Sequence, residues 1–167
     1  VVSALYTIQF QPLLDPLRAS LRFGIPESLK SFKAELSLIL PELMDESIDI
    51  EPELNPMRRY RLFEGMRRVL VHDRRKSEEP ITLLTIEDLQ YAGDETLEFL
   101  HFLRQCQELE SDRRLLVAAT LGANENLNEL TGRLNQTIKS EGVVKLELGP
   151  LDPDSVRQLV LSMVGGG

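Results

Sequence analysis

The stretch Ile81-Thr82-Leu83-Leu84-Thr85-Ile86-Glu87-Asp88-Leu89-Gln90-Tyr91-Ala92-Gly93-Asp94-Glu95-Thr96 decides the fold, because an apolar run ends in two adjacent carboxylates and then enters helical periodicity. An apolar run of about six residues followed by a helix reads as a strand buried on both faces, as in parallel sheets covered by helices. Carboxylates at the C-terminal end of such a strand stand where open α/β sheets bind ligands. Adjacent residues on an ideal strand point to opposite faces. Glu87 and Asp88 can therefore serve one site only if the backbone turns at that point.

Outward from this strand, the same alternation of element types recurs. Leu115 to Thr120 is a second apolar strand ending in a hydroxyl, Val143 to Leu148 alternates as a third, and Val1 to Phe10 reads as the end of an earlier one. Helices are expected between them. Leu13, Leu14, Leu17 and Leu21 recur at helical spacing behind Pro12 until Gly24 and Pro26. A second helix carries Leu29, Phe32, Leu36, Ile39 and Leu40 on one face, and Leu40 to Leu43 ends it. Asp45 to Pro56 is acidic and proline-containing and reads as an exposed loop, and Arg74 to Pro80 as a charged turn. The helix Met57 to Val71 turns Phe63, Met66, Val69 and Leu70 inward and Arg58, Arg59, Arg61, Arg67 and Arg68 mostly outward. The helix after Asp88 starts near Asp94, a candidate cap, and buries Leu97, Leu100, Leu103 and Cys106. Asn124 to Lys139 fits a further helix. Asp152 starts the last one, with Val156, Leu159, Val160 and Met163 on its face. Strands separated by helices indicate a parallel α/β sheet with crossover helices.

Composition narrows the function. The 167 residues carry a formal net charge of −8, which favours solubility and argues against a general nucleic-acid surface. The arginine-rich helix is read as a solvated amphipathic face beside the acidic loop. The single cysteine, Cys106, has no disulfide partner and reads as a reduced, buried thiol. His72 and His101 stand apart from other ligands at metal spacing, so zinc is not expected. No apolar stretch approaches the ~20 residues needed to cross a bilayer, and the N-terminus lacks a signal-peptide pattern, so a cytoplasmic setting with no membrane partner is expected.

Hydrolysis of a nucleotide needs a phosphate cradle, a magnesium ion and a group that orients water. Glu87 and Asp88 are the candidate magnesium ligands, with Asp88 also the candidate for orienting the attacking water. An acidic pair at a strand end also serves as turn residues or helix caps. The Thr120 hydroxyl could bond a γ-phosphate or the water, although threonine is also simply a good strand former. No G-x-x-x-x-G-K-[ST] occurs, and Gly165 to Gly167 lacks the lysine such a loop requires.

Leu83 to Ala92 resembles the Walker B segment of AAA-type signal-transduction ATPases of the STAND group, modules of large bacterial regulators, some joined to LuxR-type DNA-binding, cyclase or protein-kinase domains. Gln11 to Arg18, Leu38 to Leu43 and Tyr60 to Glu64 are similar to the family's intervening helices, and Leu115 to Thr120 and Leu146 to Leu151 to its later strands. The resemblance implies a partial P-loop NTPase-like parallel sheet flanked by helices, lacking its first strand and P-loop helix. It divides the chain into a core, 1–151, and the start of a helical lid, 152–167. It implies a module cut after its P-loop that would use ATP and magnesium when complete, with neither expected to bind this segment tightly. Its partners would be the other domains of the same protein, with self-association possible through an uncovered sheet edge. In that family Glu87 would coordinate magnesium, Asp88 orient water and Thr120 sense the γ-phosphate. Two positions depart from the pattern. Gly93 stands where the family has an acid, and Gly122 where an arginine often follows the threonine. The alternative is a degenerate, non-catalytic interaction module on the same fold.

Overall fold

A computed structural model describes residues 9–44, 55–72, 81–109, 114–122 and 143–164. The chain divides into two units, Val1–Gly132 and Arg133–Gly167. The first is a mixed helical and sheet unit built round two parallel strands, β1 (Ile81–Ile86) and β2 (Arg114–Ala119). They pair in register from Ile81 opposite Arg114 to Ile86 opposite Ala119. The helix α4 (Asp94–Leu109) lies between them in sequence, as parallel pairing demands a crossover longer than a hairpin.

The other helices of this unit supply most of the core. In α1 (Gln11–Leu21) the four leucines Leu13, Leu14, Leu17 and Leu21 are buried, as their spacing predicts. The expected second helix is a chain of short pieces: a 3₁₀ helix over Glu27–Phe32, one turn of α2 (Lys33–Leu36), and a second 3₁₀ helix over Pro41–Leu43. Pro41 lacks an amide donor, and the Ser37 hydroxyl donates to the Ala34 carbonyl at 2.8 Å, offering the backbone an alternative to a continuing helix. The predicted apolar residues Leu29, Phe32, Leu36, Ile39 and Leu40 are all buried nonetheless.

Helix α3 (Pro56–His72) begins one residue earlier than expected, with Pro56 in its first turn and Asn55 as cap. The Asn55 Oδ1 accepts the Arg58 N–H at 3.0 Å, satisfying one of the helix's orphan donors. Phe63, Met66, Val69 and Leu70 face inward as read from the sequence. Phe63 sits at the centre of an aromatic cluster, 6.2 Å from Phe10, 5.5 Å from Phe99 and 5.6 Å from Phe102, centroid to centroid. These rings join the start of α1 to α3 and α4. The buried stripe of α4 runs through Thr96, Phe99 and Leu103. Leu97, Leu100 and Cys106, expected inside, are only half-buried, because the bulky Phe99 sets the rotation of the helix towards Phe63.

Two strand expectations are corrected. β1 alternates: Thr82, Leu84 and Ile86 are buried, whereas Ile81 and Leu83 are 53% and 55% exposed. An apolar run is necessary for two-sided burial but does not ensure it: one face of β1 is buried and the other exposed. Val143–Leu148 belongs to no strand, and Val144, Leu146 and Leu148 are exposed. Alternation prepares a strand; a hydrogen-bonding partner makes one. The expected strand over Val1 to Phe10 lies outside the described residues except at its end, where Gln9 is helical and Phe10 a turn leading into α1, not a strand. The helix expected over Asn124 to Lys139, the turn from Arg74 to Pro80 and, apart from Asn55 and Pro56 at the start of α3, the loop from Asp45 to Pro56 lie outside the described residues.

Within the second unit, α5 (Pro153–Val164) starts where the sequence places it. Asp152 Oδ1 accepts the N–H groups of Asp154 and Ser155 at 3.0 and 2.9 Å, and its Oδ2 accepts the Ser155 hydroxyl at 2.6 Å. These bonds, the Ser155 hydroxyl's first, hold the Asp152 carboxyl below its ordinary pKa. Among the described residues no helix is long and apolar enough to cross a membrane.

Candidate functional site

Both strands of the first unit end on the same side, and the two candidate segments meet there. Thr120 continues the ladder one step past β2, its N–H donating to the Ile86 carbonyl at 2.9 Å. Its own carbonyl then accepts the Leu89 N–H at 2.9 Å, and its hydroxyl oxygen accepts the Asp88 N–H at 3.0 Å. Thr120 is thus bonded to three residues of the other strand's exit, Ile86, Asp88 and Leu89.

The backbone turn that the sequence requires is present. Asp88 has φ 52° and ψ 49°, the sole non-glycine residue with positive φ among the described residues. The left-handed region costs an L-residue roughly 1–2 kcal/mol, and aspartate is among the residues that tolerate it best. The 3₁₀ helix Leu89–Tyr91 follows, closed by the Tyr91 N–H to the Asp88 carbonyl at 2.9 Å. Glu87 and Asp88 are both exposed on this bend, and Leu89 is buried beneath it. The structure therefore brings Asp88 and Thr120 together where the two strands end, with Glu87 exposed one residue before Asp88.

A fourth residue, missed from the sequence, completes the arrangement. The Gln90 Nε2 donates to Asp88 Oδ1 at 3.0 Å, and Gln90 Oε1 accepts the Gly122 N–H at 3.0 Å. The sequence offers one local hint, a carboxamide two residues after a carboxylate. Its other partner lies 32 residues away and has no local signature.

Gly93 and Gly122 have packing roles. A Cβ on Gly122 would lie 3.2 Å from Gln90 Nε2, tighter than ordinary contact. A Cβ on Gly93 would lie 3.0 Å from both the Cα and the carbonyl oxygen of Gln9, which are backbone atoms. Gly93 also caps α4: its carbonyl accepts the Thr96 N–H at 3.0 Å and the Leu97 N–H at 3.3 Å. Asp94, expected as the cap, is the first residue of the helix, where its charge and that of Glu95 favour the helix dipole. The fully buried Thr96 donates its hydroxyl to the Gln9 carbonyl at 2.6 Å, tying the site's helix to the start of α1.

The arginine helix is accounted for by acids of the same chain. Arg59 pairs with Glu95 and with Glu98, the latter at 2.8 Å, and Arg61 with Glu35 at 2.7 Å. Arg67 and Arg68 both bind Glu64, at 2.8 and 2.5 Å. Arg67 and Glu64 are buried, which corrects the reading of a solvated face. Burial pushes the Glu64 carboxyl up, but the hydrogen bonds from Arg67 and Arg68 outweigh it and hold the group below its ordinary pKa. Glu42 behaves likewise, held down by Arg18 at 2.7 Å against the effect of burial.

Among the described residues no group of three or more His, Cys, Asp or Glu is placed to hold a metal ion. A protein cage for a cation is therefore not what Glu87 and Asp88 form. Magnesium typically keeps several waters and takes one or two carboxylates together with substrate phosphates, and an exposed pair fits that donor set in kind. Fold and site together define a class: a mixed α/β chain whose small parallel sheet, flanked by helices, carries a polar strand-end cluster. Comparison with models of known protein families, with curated proteins and with solved structures found no match.

Proposed function

We propose that this chain is the central α/β part of an ATP-dependent regulatory switch, a signal-transduction ATPase module in which nucleotide binding holds the module closed and hydrolysis or exchange resets it. The observation that carries the reading is the left-handed turn at Asp88, whose N–H bonds the Thr120 hydroxyl at a parallel strand end, with the exposed Glu87 one residue before it. Bound magnesium would neutralise charge developing on the transferred phosphoryl group. Glu87, fully outside the ladder, would hold the ion through its carboxylate, with Asp88 the second ligand. Asp88 accepts a hydrogen bond from the attacking water and draws its proton. The Thr120 oxygen already accepts the Asp88 N–H, so its remaining O–H is the donor left for a terminal phosphate oxygen. The phosphate cradle belongs outside these 167 residues in this reading, since no G-x-x-x-x-G-K-[ST] occurs in them.

One observation favours the second reading, a non-catalytic interaction module. The Gln9 backbone occupies the space that an acid at position 93 would need. ATP turnover by the longer protein, with and without the Asp88 carboxylate, separates the two readings.

A further inference from the structure

We propose that Gln90 is the positioning residue of the strand-end site, acting on the reaction through Asp88 and Gly122. This rests on the reading of Asp88 as the water-orienting carboxylate. A carboxylate only accepts and a backbone N–H only donates, so the carboxamide has one satisfactory orientation: Nε2 on Asp88 Oδ1 and Oε1 on the Gly122 N–H. In that orientation one planar group spans the exits of β1 and β2. It fixes the rotation of the Asp88 carboxylate by engaging Oδ1, which directs Oδ2 to the water. It also holds the segment after Thr120 against the Asp88 turn, next to the hydroxyl. Glycine at position 122 is what lets the carboxamide approach, because a side chain there would crowd Nε2 at 3.2 Å. The glycine thus makes room for this polar contact.

Two substitutions separate the two ends of the carboxamide. Gln90→Ala removes both bonds, whereas Gln90→Glu keeps an acceptor for Gly122 and sets a carboxylate against Asp88. Amide exchange measured by NMR on the 167-residue chain reads the Gly122 end, and steady-state magnesium-ATP turnover of the longer protein reads the Asp88 end. The expected result is faster exchange at Gly122 in Gln90→Ala, by about fivefold or more, with near-wild-type exchange in Gln90→Glu. Both variants lower kcat by about ten- to a hundredfold with KM changed by less than about threefold, as for a misplaced reacting group. Unchanged Gly122 exchange in Gln90→Ala overturns the proposal. So does unchanged kcat in both variants when Asp88→Asn slows turnover, which would leave Gln90 a structural contact only. A wild-type protein without turnover removes the ATPase reading and the positioning role with it, while the exchange data still report the Gln90–Gly122 bond separately.

Discussion

The Thr120 hydroxyl accepts the Asp88 N–H at 3.0 Å, so the end of one parallel strand fixes the turn that closes the other. The bond compensates the strained left-handed backbone at Asp88 and makes the candidate site depend on the strand pairing itself. Thr120→Val keeps the side-chain shape and removes the acceptor. It should destabilise the chain by about 1 kcal/mol, the net worth of one hydrogen bond. Thr120→Ser should cost less. Urea unfolding of the two variants gives the comparison, and equal losses would mean that the hydroxyl does not hold the turn.

Gly93→Ala tests the close approach of α4 to the start of α1. Its Cβ would meet two backbone atoms of Gln9 at 3.0 Å, and backbone yields less readily than the end of a flexible side chain. A loss of about 1–3 kcal/mol is expected, in the range of overpacking. A neutral effect in chemical denaturation would show that Gln9 moves freely.

Glu64 makes a pH prediction. Its carboxyl is held below the ordinary value of 4.5, so the folded state binds its proton less readily than the unfolded chain does. The stability it contributes is complete above pH 4.5 and is lost as the pH falls through its lower folded-state value. Glu64→Gln should cost about 2–4 kcal/mol near pH 7, since it leaves Arg67 buried without its counter-charge. The gap between wild type and variant should narrow below pH 4.5 in unfolding curves taken as a function of pH.

The arginines of α3 predict a negative result with a clear readout. Because Arg59, Arg61, Arg67 and Arg68 are engaged by Glu95, Glu98, Glu35 and Glu64, they offer little charge to phosphates. Fluorescence anisotropy with duplex DNA should detect no binding that falls steeply with salt. A steep salt dependence would mean that these pairs open to make phosphate contacts.

What was legible in the sequence was what local pattern controls. The leucine spacing of α1, the inward face of α3, the start of the last helix near Asp152 and the two apolar strands follow from periodicity and helix-start chemistry. Glu87, Asp88 and Thr120 were legible as strand-end residues, and the need for a turn was legible too. What escaped depends on partners distant in sequence. The exposed face of β1 depends on which helices cover it, and Val143–Leu148 needed a neighbouring strand to become one. Phe99 rather than Leu97 faces inward because Phe63 of α3 is there to receive it. Gln90 owes its role to Gly122, and the burial of Arg67 to Glu64 beneath the helix surface.

The ATPase reading stands or falls on Asp88, and asparagine is the substitution that isolates it. Asparagine also tolerates the left-handed backbone, so Asp88→Asn removes the charge while sparing the turn. The decisive measurement is steady-state magnesium-ATP turnover by the complete module that this reading requires, wild type against Asp88→Asn. Turnover should fall by about ten- to a thousandfold, the order expected for losing a catalytic carboxylate. Turnover equal to that of the wild type would contradict the assignment of Asp88 to the reaction.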